Sequence, residues 1–220
     1  MTRILILRPQ PGADATVAKA RDLGLDAIAV PLFDVEPVAW DAPEAGSFDG
    51  LLLTSANAVR MAGERLQALR GLKAYAVGES TAEAAREAGF DIAATGDAGV
   101  DRLLGSIEPD LKLLHLCGED RREPVDAKQQ ITAISVYRAK PLSPDLSAVK
   151  DSVALIHSPR AGRRFAELVS ARDGISITAI SDAAANAAGD GWRRVATAEQ
   201  PSDDALLALA ARLCDKPDPK

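Results

Sequence analysis

Small hydroxyl, glycine and arginine residues follow one short apolar segment after another in this sequence. The apolar segments have the length and composition of buried strands, so these residues lie where such strands end. Hydroxyls, guanidinium groups and free backbone N–H groups at that edge predict a site for a flexible polyanionic small molecule. Any one hydroxyl is also a common helix cap, so the prediction depends on the whole set. The candidate binding residues are Arg8, Thr54, Ser55, Asn57, Gly78, Gly118, Arg122, Ser158, Arg160 and Ser181.

Motifs for several other kinds of chemistry are missing from the sequence. It has no glycine-rich dinucleotide fingerprint, no Walker A loop, no Cys-x-x-Cys and no His-Glu-x-x-His. Its two histidines, His115 and His157, lie in predicted strands, which argues against a metal site. Ser158 and His157 are neighbours in an extended segment and point to opposite faces, so they form no nucleophile–base pair. We interpret both histidines as packing or solvated strand-end residues.

Composition excludes several classes of protein. The chain has 220 residues, of which 26 are Lys or Arg and 32 are Asp or Glu, and its net charge is −6. A general nucleic-acid binder needs a surplus of positive charge, and an aromatic content of 4 % leaves little for base stacking. The cysteines Cys117 and Cys214 are too few for a disulfide framework. With no predicted signal peptide or membrane span, we expect a cytoplasmic protein.

Short strands alternate with helical patterns along the chain, which predicts parallel, doubly wound sheets. Val59, Ala62, Leu66 and Leu69 lie on one face of a predicted helix. Two other helices have clear starts, because Ser158 precedes a proline and Ser202 precedes two acidic residues. The predicted strands are Ile4–Leu7, Ala27–Val30, Leu51–Thr54, Ala74–Val77, Ile92–Ala94, Leu113–Leu116, Ile131–Val136, Ala154–His157, Ile177–Ile180 and Val195–Thr197.

The sequence also repeats itself at an offset of about 103 residues. The segment Leu52–Ala58 resembles Leu155–Ala161, and three further pairs of segments match in the same order along the chain. Chance similarity among alanine-rich units explains four ordered matches less well than a duplication does. Two extended, proline-containing segments, Phe33–Asp41 and Ser135–Pro144, are equivalent in the repeat. We interpret them as two linkers that run side by side between two domains.

This organisation predicts two α/β domains, each a doubly wound parallel sheet, joined by a two-stranded β connector. Domain 1 is discontinuous and contains residues 1–34 and 142–220. Domain 2 is inserted between them and contains residues 38–134, with linkers at about 35–38 and 135–142. Each domain is expected to hold one five-stranded sheet, and the binding residues are expected to line the facing edges of both sheets.

Six sets of short segments stand out together along the chain. They are Leu7-Arg8-Pro9, Thr54-Ser55-Ala56-Asn57-Ala58-Val59, Ala76-Val77-Gly78 with Thr81-Ala82, Cys117-Gly118 with Arg122-Glu123, Val136-Tyr137 and Ser158-Pro159. No single segment is specific, but in their order and spacing they resemble the uroporphyrinogen-III synthase family over essentially the whole chain.

The resemblance implies a two-domain fold with a cleft between the domains. It implies an enzyme that cyclises hydroxymethylbilane, which carries eight carboxylates, to uroporphyrinogen III in heme biosynthesis. That reaction loses water and inverts ring D, and the family performs it without a metal or an organic cofactor. The resemblance also implies that the linker tyrosine, here Tyr137, is the acid that helps the hydroxyl leave. The alternative role for Tyr137 is packing between the domains.

One segment departs from the family pattern. After the strand Ile177–Ile180, many relatives carry a glycine and adjacent threonines, whereas this chain has Ser181-Asp182-Ala183. Any role of those hydroxyls therefore falls to Ser181 or to backbone N–H groups.

Two other interpretations remain open from the residues. The same two domains and hinge suit a binding protein or sensor for a small polyanionic ligand. A phosphoacceptor-type domain would need clustered aspartates at strand ends, and only scattered acids such as Glu119, Asp120 and Asp182 are available. For the enzyme we expect a monomer with a transient hand-off from hydroxymethylbilane synthase, and no nucleic-acid or membrane partner.

Overall fold

The computed structural model describes residues 2–96, 99–121, 123–147 and 149–215. The chain divides into two compact units. Unit 1 consists of Met1–Asp34 and Pro141–Lys220, and unit 2 consists of Val35–Lys140.

Strands and helices alternate as the sequence pattern predicts. The strands are β1 (Arg3–Ile6), β2 (Ala27–Ala29), β3 (Phe33–Pro37), β4 (Gly50–Leu53), β5 (Lys73–Val77), β6 (Ile92–Gly96), β7 (Lys112–Gly118), β8 (Gln130–Pro141), β9 (Ser152–Ile156), β10 (Ser176–Ala179) and β11 (Arg194–Thr197). The α-helices are α1 (Gly12–Asp22), α2 (Ala56–Met61), α3 (Glu79–Glu87), α4 (Val100–Gly105), α5 (Pro159–Leu168), α6 (Asp182–Ala188) and α7 (Asp203–Asp215), and 3-10 helices cover Ala45–Ser47 and Gly63–Leu69.

Unit 1 is built on a five-stranded sheet with the order β11-β10-β9-β1-β2, in which every pair of neighbours is parallel. The central strands β1 and β9 are buried along almost their whole length. Apolar residues from α1 and α7 pack on one face of the sheet. Consecutive residues of β1 and β9 point to opposite faces of the sheet and are nearly all buried, so both faces are covered. This burial explains why the strands appear in the sequence as continuous apolar runs.

Unit 2 is built on a six-stranded sheet with the order β3-β8-β7-β4-β5-β6. Without β3, this order matches that of unit 1, strand for strand, as the sequence repeat predicts. Trp40, Leu51 and Leu114 belong to the core on one face, and Leu52 and Leu113 belong to a smaller core on the other.

The two mainly parallel sheets confirm the predicted fold class, with two differences in detail. The linker segments are regular strands, because β3 joins the sheet beside β8 and β8 continues as one strand to Pro141. Ion pairs from Glu36 to Arg138 at 3.2 Å and to Lys140 at 3.0 Å connect these two strands. The helix predicted around Val59–Leu69 is split, because the backbone at Gly63 has a φ of 67°, a left-handed conformation that ends α2.

Within the described part of the chain, no helix is long and apolar enough to cross a membrane.

Candidate functional site

Three predicted residues of unit 2 meet where β4, β7 and β8 are neighbours. Gly118 ends β7 and pairs with Tyr137 of β8, next to a shift in strand register. A Cβ atom at Gly118 would lie 2.8 Å from Cε2 and Cζ of the Tyr137 ring, so only glycine leaves room for the phenol there. Ser55, which follows β4, lies close enough to the Tyr137 phenol to influence its pKa. The fold therefore brings Ser55, Gly118 and Tyr137 together.

Burial raises the pKa of the Tyr137 phenol above its ordinary value of 10. The nearby Ser55 hydroxyl lowers this pKa, and burial is the larger of the two effects. The phenol is therefore protonated at neutral pH, and it can give a proton to a group that becomes basic.

Ser55 is held in place by the helix that it starts. Its backbone is extended, and its hydroxyl accepts a hydrogen bond from the backbone N–H of Asn57 at 3.2 Å, as an N-cap residue does. Asn57, another predicted binding residue, thus contacts Ser55 through its main-chain N–H. The oxygen of Ser55 is thus used as an acceptor within the fold, and its hydrogen can still be donated to another group.

Thr54 is engaged by a histidine from the neighbouring strand. Its hydroxyl lies 3.0 Å from Nε2 of His115, a residue that is 1 % exposed. Burial, with a smaller contribution from the positive charge of Arg121, lowers the pKa of His115 to about 4. His115 is thus a neutral, hydrogen-bonded core residue, which agrees with its interpretation as a packing residue.

We expect His115 to make the protein less stable in mild acid. Above pH 6.5 the imidazole is neutral in both the folded and the unfolded chain. Between pH 6.5 and about 4, only the unfolded chain takes up the proton. The free energy of unfolding therefore decreases as the pH is lowered, by roughly 3 kcal/mol in all. Urea unfolding at several pH values should show this slope in the wild type and lose it in His115→Gln. An equal slope in both proteins would contradict the assignment.

The two remaining predicted residues of unit 2 have different outcomes. Gly78 precedes α3 with a φ of 83°, and its N–H donates to the carbonyl of Gly96 at 2.6 Å. Glycine is favoured there because residues with a side chain rarely adopt this conformation. Arg122 lies outside the described residues.

In unit 1, the predicted serines cap helices at the carboxyl ends of their strands. The Ser158 hydroxyl accepts from the N–H of Ala161 at 3.1 Å, and the Ser181 hydroxyl accepts from that of Ala184 at 3.3 Å. Each begins its helix, α5 and α6 respectively. Ser158 corresponds to Ser55 of unit 2 in the repeat, and both residues are N-caps. Both unit 1 hydroxyls are therefore used within the fold.

The two predicted arginines of unit 1 are held by side chains rather than free in solvent. The guanidinium of Arg160 lies over the ring of Phe33, 4.5 Å from its centroid. Nη1 of Arg8 donates to both carboxylate oxygens of Asp203, at 2.9 and 2.8 Å. The expectation that these residues and those of unit 2 line one cleft stays a prediction.

Sequence reasoning missed the residues that surround Arg8. Asp203 was visible only as an acidic residue in the first turn of a helix, and His157 only as the end of a strand. The structure places Nε2 of His157 3.1 Å from the Asp203 carboxylate. No local pattern connects positions that are 46 or 195 residues apart, so only the tertiary fold identifies the cluster.

In the described ranges, no group of three or more His, Cys, Asp or Glu side chains could hold a metal ion.

Two α/β units that share the order of five parallel strands, with polar groups at the strand ends, define a duplicated two-unit α/β protein. A family model described as "Uroporphyrinogen-III synthase HemD" matches residues 14–208. The chain belongs to the uroporphyrinogen-III synthase family, as the sequence resemblance predicts.

Individual relatives agree with this assignment. The uroporphyrinogen-III synthase of Chlorobaculum parvum is 29 % identical over 101 residues, which are 42 % of this chain and 41 % of that protein. The chain thus matches less than half the length of this curated relative.

Solved structures share the fold over nearly the full chain. The uroporphyrinogen-III synthetase of Helicobacter pylori has a TM-score of 0.67 at 18 % identity, covering 97 % of this chain and 100 % of that one. A mutant uroporphyrinogen III synthase of Thermus thermophilus has a TM-score of 0.54 at 19 % identity, covering 98 % and 100 %. At these identities the likeness establishes the fold.

Proposed function

We propose that this protein is a lyase that cyclises hydroxymethylbilane to uroporphyrinogen III, with loss of water and inversion of ring D, in heme biosynthesis. Membership of the family supports the reaction. The observation that carries the site is the partly buried, protonated phenol of Tyr137, packed on Gly118 beside Ser55. The alternative of a binding protein without chemistry is not favoured by the family.

The chemical task is to direct a reaction that runs to the wrong isomer without help. Hydroxymethylbilane loses its hydroxyl readily and then closes spontaneously to the type I product. The enzyme must hold one conformer in which ring D closes through its substituted carbon. We therefore assign most of the effect to positioning of the bilane and to stabilisation of a cationic azafulvene.

Tyr137 is the proposed acid for departure of the hydroxyl. Its O–H gives a proton to the leaving oxygen as the C–O bond breaks, and water departs with that proton. Attack by the substituted carbon of ring D on the azafulvene then gives a spiro intermediate, and the bond from that carbon to the methylene bridge of ring C breaks. The freed methylene bonds to the unsubstituted α-carbon of ring D, and the proton lost from this carbon restores the phenol. The raised pKa of Tyr137 keeps it in the donating form before each cycle.

We propose that the carboxylates of hydroxymethylbilane are bound by polar groups at the strand ends of both units. Backbone N–H groups that precede helices contribute beside side chains, because several hydroxyls are already used as caps. The proposed binding residues are Arg8, Thr54, Ser55, Asn57, Gly78, Gly118, Arg122, Ser158, Arg160 and Ser181.

The remaining properties are proposed on the same basis. The two domains are residues 1–34 with 142–220 and residues 38–134, with connectors at about 35–38 and 135–142. The enzyme is a cytoplasmic monomer that needs no cofactor and accepts hydroxymethylbilane in a transient hand-off from hydroxymethylbilane synthase.

The decisive experiment is isomer analysis of the product. Freshly made hydroxymethylbilane is incubated with the protein, with heat-treated protein and with buffer, and the oxidised porphyrins are separated by chromatography. We expect the type III isomer with the native protein and the type I isomer in both controls. A product that is entirely type I would exclude the proposed activity, and retention of the bilane without turnover would point to the binding-protein alternative.

A further inference from the structure

Four polar side chains of unit 1 converge at the carboxyl ends of β1 and β9. Arg8 follows β1, His157 follows β9, Thr16 lies in α1 and Asp203 begins α7. The Asp203 carboxylate accepts hydrogen bonds from Nη1 of Arg8 and from the Thr16 hydroxyl at 2.8 Å, and Nε2 of His157 lies 3.1 Å away. The cluster is not needed to start α7, because Ser202 supplies the N-cap hydrogen bond at 3.2 Å.

Asp203 is the residue that the other three side chains of this cluster contact. Its side chain is 19 % exposed, and that of His157 is 9 % exposed. Burial alone would raise the pKa of the carboxyl, but the hydrogen bond from His157 and the charge of Arg8 hold that pKa well below its usual range. Asp203 is therefore ionised and held by partners from three other elements, so its position is well determined.

Arg8 is bound by one corner of its guanidinium only. Among the described residues, all its hydrogen bonds pass through Nη1, which bonds to Asp203 and, at 3.5 Å, to Thr16. Nε and Nη2 make no hydrogen bond to the described protein, and the side chain is 34 % exposed. Nε–H and the adjacent Nη2–H form a parallel pair of donors, a geometry that matches the two oxygens of a carboxylate.

Gly12 leaves space beside those two donors. A Cβ atom at this position would lie 2.8 Å from Nε and 3.1 Å from Nη2 of Arg8. Glycine in the first turn of α1 costs helix stability relative to alanine, and the fold does not need it for a left-handed backbone conformation there. Its clear effect is to let the guanidinium lie against α1 while Nη1 reaches Asp203.

We propose that Asp203 is a positioning residue that, together with Thr16 and His157, holds Arg8 so that Nε and Nη2 bind one carboxylate of the ligand. This inference rests on the proposed function for the identity of the ligand. The two edges of the Arg8 guanidinium then have different roles: the protein anchors Nη1, and the opposite edge binds the substrate. An arginine without this anchor would sample many rotamers and bind the same carboxylate less tightly.

Two substitutions test the proposal by different routes. Asp203→Asn removes the charge that anchors Nη1, and Gly12→Ala pushes the guanidinium away while leaving Asp203 in place. Matched controls are Asp204→Asn, which alters the exposed pair with Lys19, and Gly105→Ala, where a Cβ atom meets nothing within 4 Å.

Steady-state kinetics with hydroxymethylbilane and thermal melting are measured for all five proteins. We expect KM to rise about tenfold in Asp203→Asn and Gly12→Ala, with kcat within about threefold of wild type, as for loss of one oriented ionic contact. Gly12→Ala should melt at or above the wild-type temperature, because alanine is the better helix former. Both controls should keep the wild-type KM.

The outcome separates positioning from simple stabilisation. Should KM stay at the wild-type value in Gly12→Ala, with Asp203→Asn changing only the melting temperature, the proposal is wrong and the cluster is structural. Failure of the proposed function looks different, because the wild type then makes no type III product. In that case the Kd of uroporphyrin III, a stable octacarboxylate, replaces KM, and an unchanged Kd in Gly12→Ala overturns the proposal.

Discussion

Tyr137→Phe should lower kcat for hydroxymethylbilane by roughly 100-fold, the usual contribution of a positioned general acid. Phenylalanine keeps the ring that packs on Gly118 and removes only the hydroxyl, which lies near Ser55. The fold should therefore survive, with KM near the wild-type value, because the lost interaction acts on the departing hydroxyl. In the wild type, the midpoint of the loss of activity at alkaline pH should lie above pH 10, since burial raises the pKa of the phenol.

The chain provides a matched control for this substitution. Tyr75, on β5 of the same unit, is the other tyrosine, and burial also raises the pKa of its phenol. Tyr75→Phe should leave kcat unchanged. Wild-type turnover in Tyr137→Phe would remove the phenol from the mechanism and leave Tyr137 as a packing residue.

Gly118→Ala should have the second largest effect, through displacement of the same phenol. The new Cβ atom would lie 2.8 Å from two carbons of the Tyr137 ring and 3.1 Å from its hydroxyl oxygen. Real Cβ contacts are longer, so the ring must move away from its position beside Ser55. A misplacement of about 1 Å can cost on the order of 100-fold in rate, so we expect kcat to fall 10- to 100-fold. The measurement is single-turnover formation of the type III isomer.

Gly50→Ala separates displacement of the acid from general damage to unit 2. Gly50 supports the ring of Tyr75 as Gly118 supports that of Tyr137, and a Cβ atom there would lie 2.5 Å from Cε2 of Tyr75. Both substitutions should lower the melting temperature, but only Gly118→Ala should lower the rate. Equal losses of rate in the two variants, or no loss in either, would contradict the role given to Gly118.

Much of the fold is predictable from sequence because burial leaves a local pattern. Continuous apolar runs such as Leu113–Leu116 correspond to strands covered on both faces, and Ser158 before a proline marks the start of α5. The segments that the sequence predicted as linkers are β3 and the end of β8 in the structure. Each forms a strand because it pairs with the other. Short, proline-containing strands at the edge of a sheet carry a weak apolar signal of their own.

For the candidate site, the sequence predicted individual residues, and the structure shows which of them are in contact. Ser55, Gly118 and Tyr137 were predicted as separate residues from motif order, and the fold brings them into contact. For Arg8, the sequence predicted an arginine open to a ligand, whereas the structure pairs one of its nitrogens with Asp203.

The sequence by itself determined the class of the fold, the internal repeat, the family and the types of residue at the strand ends. These properties follow from the order of residues along the chain and from how each short segment balances burial against solvation. Only the tertiary structure decided which polar groups are bound to one another, such as Arg8 to Asp203 across 195 residues and Thr54 to His115 across 61. The physical reason is that hydrogen bonds act over about 3 Å in space, and distance along the chain does not specify which groups the sheets bring that close.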